Sequence, residues 1–292
     1  MQPVTVGIVI IGYFLVLIFI SYLTSRNSSD EDFFTAGRQS PWFLVAFGMI
    51  GASLSGVTFI SIPGEVGNSN FNYFQVVLGY LPGYLVIATV LMPLYYRLRL
   101  TSIYTFLEER FGFWSYKSGA FFFLLSRVIG SSFRLFLVAG VLQISFFDAF
   151  DLPFWVSVLV SILLIWIYTF RSGIKTVVWT DTLQTLFMIA SVVISIFFIK
   201  NELGLDTGEL ISQISSDERS TIFQWDWQSG RNFFKQFFAG AFIAIVMTGL
   251  DQDMMQKNLT IKTLRDAQKN VFWFCVILVG VNLLFLSLGL LL

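Results

Sequence analysis

The sequence predicts an all-α membrane protein of about eight membrane-crossing helices, and three observations carry that expectation. Hydrophobic residues make up 56% of the chain and charged residues 12%, with a mean hydropathy of +0.76, where an average soluble domain holds roughly 45–50% and 25%. The apolar residues are gathered into repeated runs of about 18 or more, each long enough to cross about 30 Å of hydrocarbon as a helix. None of the runs shows the ten-residue apolar/polar alternation of an outer-membrane barrel, and helices are the remaining way to satisfy the backbone inside a bilayer.

The spans are expected at 4–23, 42–62, 74–96, 119–147, 153–170, 176–200, 232–250 and 271–291, within a single transmembrane domain over 1–292. The first lacks a basic leader and a small-residue cleavage site, so it is read as a retained helix and not a signal peptide. The second is crowded with Gly48, Gly51, Ser53, Ser55, Gly56, Thr58 and Ser61 ahead of Pro63-Gly64. Between the third and fourth, Ile103, Phe106, Leu107 and Phe111 form an apolar stripe opposite Glu108, Glu109 and Arg110, the pattern of a short helix on the cytoplasmic surface that Gly112 would end. The fifth span has the weakest signal. After the sixth comes the longest loop, 201–231, with Trp225 and Trp227 as interfacial anchors on the outer side. The eighth runs into Leu290-Leu291-Leu292 with no polar tail, and the expectation is a core cut short there.

Charge sets the orientation. Twelve of the 18 Lys and Arg fall in one set of alternate loops: Arg26, Arg38, Arg97, Arg99, Arg110, Lys117, Arg171, Lys175, Lys257, Lys262, Arg265 and Lys269. The positive-inside rule makes that side cytoplasmic and puts Met1 outside. The zero net charge gives no sign of a nucleic-acid partner; the lipid bilayer is the expected one. The absence of histidine excludes a histidine proton relay or metal site, and the lone Cys275 excludes an intrachain disulfide.

Ionisable residues inside apolar spans are costly, so each is a candidate for function. Asp181 lies about 8 Å inside the cytoplasmic face at 1.5 Å per residue. It suits either a functional carboxylate or a local ion pair with Lys175. Arg127 and Arg134 are two turns apart on nearly one helix face, and Arg134 falls near mid-membrane. An anionic substrate or a carboxylate such as Asp181 would satisfy a guanidinium there. The crowding of the second span fits close helix packing, or a helix break whose freed carbonyls coordinate a small cation. Asp251-Gln252-Asp253 after the seventh span reads as a helix cap, with a Mg²⁺-binding acidic pair as the weaker option.

Four segments in order resemble one family. They are Asp32-Phe33-Phe34-Thr35-Ala36-Gly37-Arg38; Ser55-Gly56-Val57-Thr58 through Pro63-Gly64-Glu65-Val66; Gly173-Ile174-Lys175 with Trp179-Thr180-Asp181 and Gln184; and Asp251-Gln252-Asp253-Met254 with Gln256. The chain is similar to the sodium/solute symporters, which include proline, sugar, sialic acid, monocarboxylate and iodide transporters.

The resemblance implies a leucine-transporter-type inverted-repeat fold with an extra N-terminal helix, here missing its C-terminal part. It implies no enzyme activity. It implies Na⁺-coupled symport of a small organic solute, an anionic one included, across the inner or plasma membrane by alternating access, with Na⁺ as the coupling ion. Carried onto this chain, Na⁺ would bind the backbone carbonyls of Gly51 and Leu54, with Asp181 in the sodium path or a second site. Ser55 and Thr58 would face the substrate, with Phe74 and Gln75 beside them, and either Arg127 or Arg134 would hold a carboxylate. The other expectation is a membrane sensor with this fold fused to a signalling domain beyond residue 292.

Overall fold

The structure, a computed structural model, describes residues 3–25, 39–100, 102–169 and 174–292. The Asp32–Arg38 segment, Arg171 and Gly173, and the side chain of Lys175, lie outside what is described. All regular elements among the described residues are helical. In chain order they are α1 (Pro3–Ser25), α2 (Trp42–Ser53), α3 (Gly56–Ser69), α4 (Tyr73–Val86), α5 (Met92–Arg97), α6 (Ile103–Phe111), α7 (Phe113–Ser145), α8 (Phe154–Thr169) and α9 (Ile174–Glu202). There follow α10 (Thr207–Ser216), α11 (Phe233–Ala244), α12 (Gln252–Leu259) and α13 (Leu264–Leu291). Two π-helical turns, Ile87–Leu91 and Ile245–Gly249, extend α4 into α5 and lengthen α11.

Five of the described helical runs are long and apolar enough to cross a membrane, and the pair of α11 with its π turn and α12, bent by 65°, adds a sixth. The helix ends follow from local chemistry. Ser102 opens α6 by accepting from the Tyr104 N–H at 3.2 Å, and Gly112, at φ 84°, supplies the left-handed backbone at which α6 stops. Asn232 caps α11 through the Phe234 N–H, and Thr263 caps α13 through the Asp266 N–H. In the 203–232 loop, Arg219 grips Asp217 with two side-chain hydrogen bonds and its own N–H, holding that carboxyl down at about 2.

The described chain divides into two compact units. The first takes 1–38 and 100–180, hence α1, α6, α7, α8 and the first turns of α9. Its packing is built on small residues and one polar knot. Gly119 of α7 leaves room for Tyr104 and Leu107 of α6, and Gly7 of α1 faces the Phe146 ring. Near the end of α7, Gln143 donates to the Leu152 carbonyl at 2.7 Å and pairs with Asp148 and with Ser157, which is fully buried. In a nonpolar solvent such groups must find one another or go unsatisfied. Much of α7 presents Phe121, Phe122, Phe133 and Phe136 outward, a surface suited to lipid.

The second unit takes 39–99 and 181–292. At its centre α4 and α11 meet backbone to backbone. A Cβ on Gly79 would run into the Phe237 carbonyl, one on Gly240 into the Val76 carbonyl, and one on Gly83 would lie 2.6 Å from the Ala241 carbonyl. Small residues in this role allow dispersion contacts that larger ones would prevent. α13 supplies the largest core side chains: Phe285 meets Phe59 edge-on at 5.5 Å and Phe274 meets Tyr84 at 5.1 Å.

Candidate cation site at a helix break

The apolar run expected as one helix over 42–62 is divided. α2 ends at Ser53, Leu54 (φ −96°, ψ 108°) and Ser55 (φ −100°, ψ 176°) are extended, and α3 starts at Gly56. The local cause is capping. The Ser55 N–H, which an unbroken helix would give to the Gly51 carbonyl, donates to Thr58 Oγ1 at 3.1 Å. The Leu54 N–H still serves the Ile50 carbonyl at 2.7 Å, so the carbonyls of Gly51, Ala52, Ser53 and Leu54 are the four that a helix C-terminus leaves without helical donors. Leu54 itself is buried.

α9 lies against this break. A Cβ on Gly51 would collide with Thr185 Oγ1 and come within 3.2 Å of the Asp181 carbonyl, so glycine permits the approach. Thr182 donates to the Leu44 carbonyl at 3.2 Å, and Thr185 to the Asp181 carbonyl at 2.7 Å. The structure therefore brings Gly51 up to Thr185 and the backbone of Asp181, one turn before the extended Leu54.

Among the described residues, Asp181 pairs with a residue far along the chain. Its Oδ2 accepts from Lys257 Nζ of α12 at 2.6 Å, and the two side chains are 17% and 5% exposed. Lys257, expected from the sequence as a cytoplasmic loop charge, is buried. The helix carrying it exists because of a second break. α11 ends in the Ile245–Gly249 π turn, Leu250 and Asp251 depart from helical geometry, and Asp251 Oδ1 caps α12 through the Met254 N–H at 3.1 Å. The cap reading of Asp251 thus holds, at a break within a bent pair of helices. Gly249, just before the break, has no room for a side chain: a Cβ there would sit 2.6 Å from Leu91 and 2.9 Å from Ile87.

The remaining candidates are placed as follows. Thr58 and Ser55 stand at the start of α3. Phe74 is buried on α4. Gln75 is fully buried, and its amide gives hydrogen bonds to the Asn72 and Arg231 carbonyls and takes one from the Gln224 N–H, tying α4 to the 224–231 loop. Arg127 and Arg134 belong to the first unit; Arg127 lies 5.4 Å over the Phe123 ring, and Arg134 is exposed.

A family model, that of the sodium:solute symporter family, matches residues 33–291. The chain belongs to this family. Its relatives are transporters, not enzymes. Among the curated members, the sodium/sialic acid symporter NanT of Aliivibrio fischeri is 26% identical over 92% of this chain and 53% of its own length. The sodium/sialic acid symporter SiaT of Proteus mirabilis is 24% identical over 96% and 56%, and the human sodium/iodide cotransporter 25% over 82% and 37%. The chain thus spans about half the length of the sialic acid symporters it matches. A solved structure of a Na⁺-coupled sialic acid symporter, in a substrate-bound outward-open state, superposes with a TM-score of 0.83 at 20% identity, covering 97% of this symporter-family chain and 60% of the other. That likeness shows the fold, the expected helical leucine-transporter type, and the protein is a multi-pass membrane protein of this class.

Proposed function

We propose that this protein takes up a small organic solute by symport with Na⁺, through alternating access. The observation that carries the reading is the break at Leu54–Ser55, one turn beyond the point where Gly51 packs against the helix that bears Asp181. Those donors fit a small hard cation: backbone carbonyls, a carboxylate and the Thr185 hydroxyl are all oxygens, the ligand type that such ions take.

Gly51 and Leu54 would contribute carbonyls and Asp181 its carboxylate to that ion. Bound Na⁺ would supply a positive charge that holds the two half-helices and α9 in one arrangement. Ser55 and Thr58, next along the chain, would turn hydroxyls toward the solute, and Phe74 would pack on its apolar part. Gln75 would reach the solute only on release of the 224–231 loop. An anionic solute would call on Arg127 or Arg134. The relatives named for sialic acid, iodide and vitamins leave the solute open, so the class proposed is the broad one. The membrane proposed is the inner or plasma membrane, with Met1 outside.

The test is uptake into proteoliposomes by the protein expressed from its whole coding sequence, with an inward Na⁺ gradient and a panel of amino acids, sugars and carboxylates. One class should accumulate only with Na⁺, and Asp181→Asn should cut Na⁺-driven uptake at least about tenfold, a loss of about 1.4 kcal/mol in ion coupling. No Na⁺-dependent uptake for any class would sink the reading.

A further inference from the structure

The Asp181–Lys257 pair is left over from that account, because an ammonium already occupies the carboxylate proposed for the ion. The contact is 2.6 Å and nearly closed to solvent, so it is no casual surface pair. Asp253 is four residues before Lys257 on α12, which puts the two on one helix face, and the Asp253 carboxylate lies within electrostatic reach of Asp181. A second carboxylate therefore stands one helical turn from the residue that bears this ammonium. Lys is suited to changing partners: its charge is compact and sits on a flexible four-carbon stem, whereas Arg is held by its planar fork.

We propose that Lys257 is a tethered counter-ion that stands in for Na⁺ at Asp181 and withdraws toward Asp253 when the ion binds. The proposal rests on the sodium reading above and deepens it. An empty site would otherwise hold a buried, uncompensated carboxylate, which is strongly unfavourable. The tether removes that penalty, and in doing so sets the Na⁺ concentration at which the site fills. It also fastens α12, the second half of the bent pair, to α9 until the ion arrives. Lys257 is thus a positioning residue that acts through Asp181.

The measurement is the thermal midpoint of the purified whole protein in nanodiscs, titrated with NaCl against KCl at constant ionic strength. In Lys257→Met the half-saturating Na⁺ should fall about tenfold or more, and the midpoint in KCl should drop, since only the ion can now neutralise Asp181. Lys257→Arg and Asp253→Asn should both raise half-saturation, the first by strengthening the pair and the second by removing the alternative partner. Should Lys257→Met not fold, these two variants still decide the matter. Equal loss of midpoint in NaCl and KCl with unchanged half-saturation would reduce Lys257 to a structural bolt and overturn the proposal. A wild-type protein indifferent to Na⁺, or a Na⁺ response that survives in Asp181→Asn/Lys257→Met, would instead overturn the sodium site itself.

Discussion

Gly51 shows how one missing methyl group shapes the site. The hydrogen that stands in place of a Cβ lets α9 come close enough for Thr185 and the Asp181 backbone to touch α2 beside the break. Gly51→Ala should therefore cost about 1–3 kcal/mol of stability, as overpacking does. The clash is with a branched side chain, so Thr185→Ala in the same chain should restore most of the loss. A double-mutant cycle on thermal or denaturant unfolding reads the coupling, and additive losses would show that the two residues do not meet. The small residues at 51–58 were visible in the sequence, but not what they admit. Packing and ion coordination ask for the same residue types; at Gly51 the structure shows close packing, and at Leu54–Ser55 a helix break. The partner of Asp181 was hidden for a different reason. Lys257 is 76 positions away, in a segment whose other charges mark a loop, and local spacing offered Lys175 in its place.

Among the elements, α4 and α11 are the pair whose contact leaves least freedom. At Gly240 the obstacle to a side chain is the Val76 carbonyl, a backbone atom that cannot rotate away, so the helices would have to part. Gly240→Leu should abolish monodisperse, folded protein in size-exclusion chromatography. Gly140 of α7, with open space around its Cβ position, should accept alanine with unchanged or slightly higher stability, since alanine is the better helix former. Equal tolerance at the two positions would contradict the close approach. Most element positions could be read from apolar runs, because a membrane solvent imposes one length on every crossing helix. The break at 54–55 was foreshadowed by Ser55 and Thr58. The one at 250–251 was not, since a capped polar helix beyond an apolar run looks the same whether the chain has left the membrane or has bent within the protein.

For the whole molecule, the family assignment and the fold rest on a match spanning nearly all of the chain. The proposed orientation, by contrast, rests on the distribution of Lys and Arg. With Lys257 buried, eleven of the twelve charges of that set remain in the loops expected to be cytoplasmic. Gln2→Cys should accordingly react with an impermeant maleimide in intact cells, and Lys262→Cys only after permeabilisation. The native background is low, because the single cysteine, Cys275, is 4% exposed. The reverse labelling pattern would invert the topology.

The two π turns have a consequence for how the chain tolerates length changes. Each fits one extra residue into a helix, so everything beyond it is rotated by about 100° from where an uninterrupted α-helix would put it. Ile87–Leu91 and Ile245–Gly249 touch, with Gly249 against Ile87 and Leu91 and its carbonyl receiving the Tyr95 hydroxyl at 2.8 Å. The two helices run parallel, with Gly79 at Phe237, Gly83 at Ala241 and Ile87 at Gly249, so they shift phase at the same level and their facing stripes stay matched on both sides of the offset. A single-residue deletion in either turn alone would put that stripe out of step with its neighbour over every turn that follows. Evolution can therefore add or remove such a residue here only in pairs, like the teeth of two meshed gears.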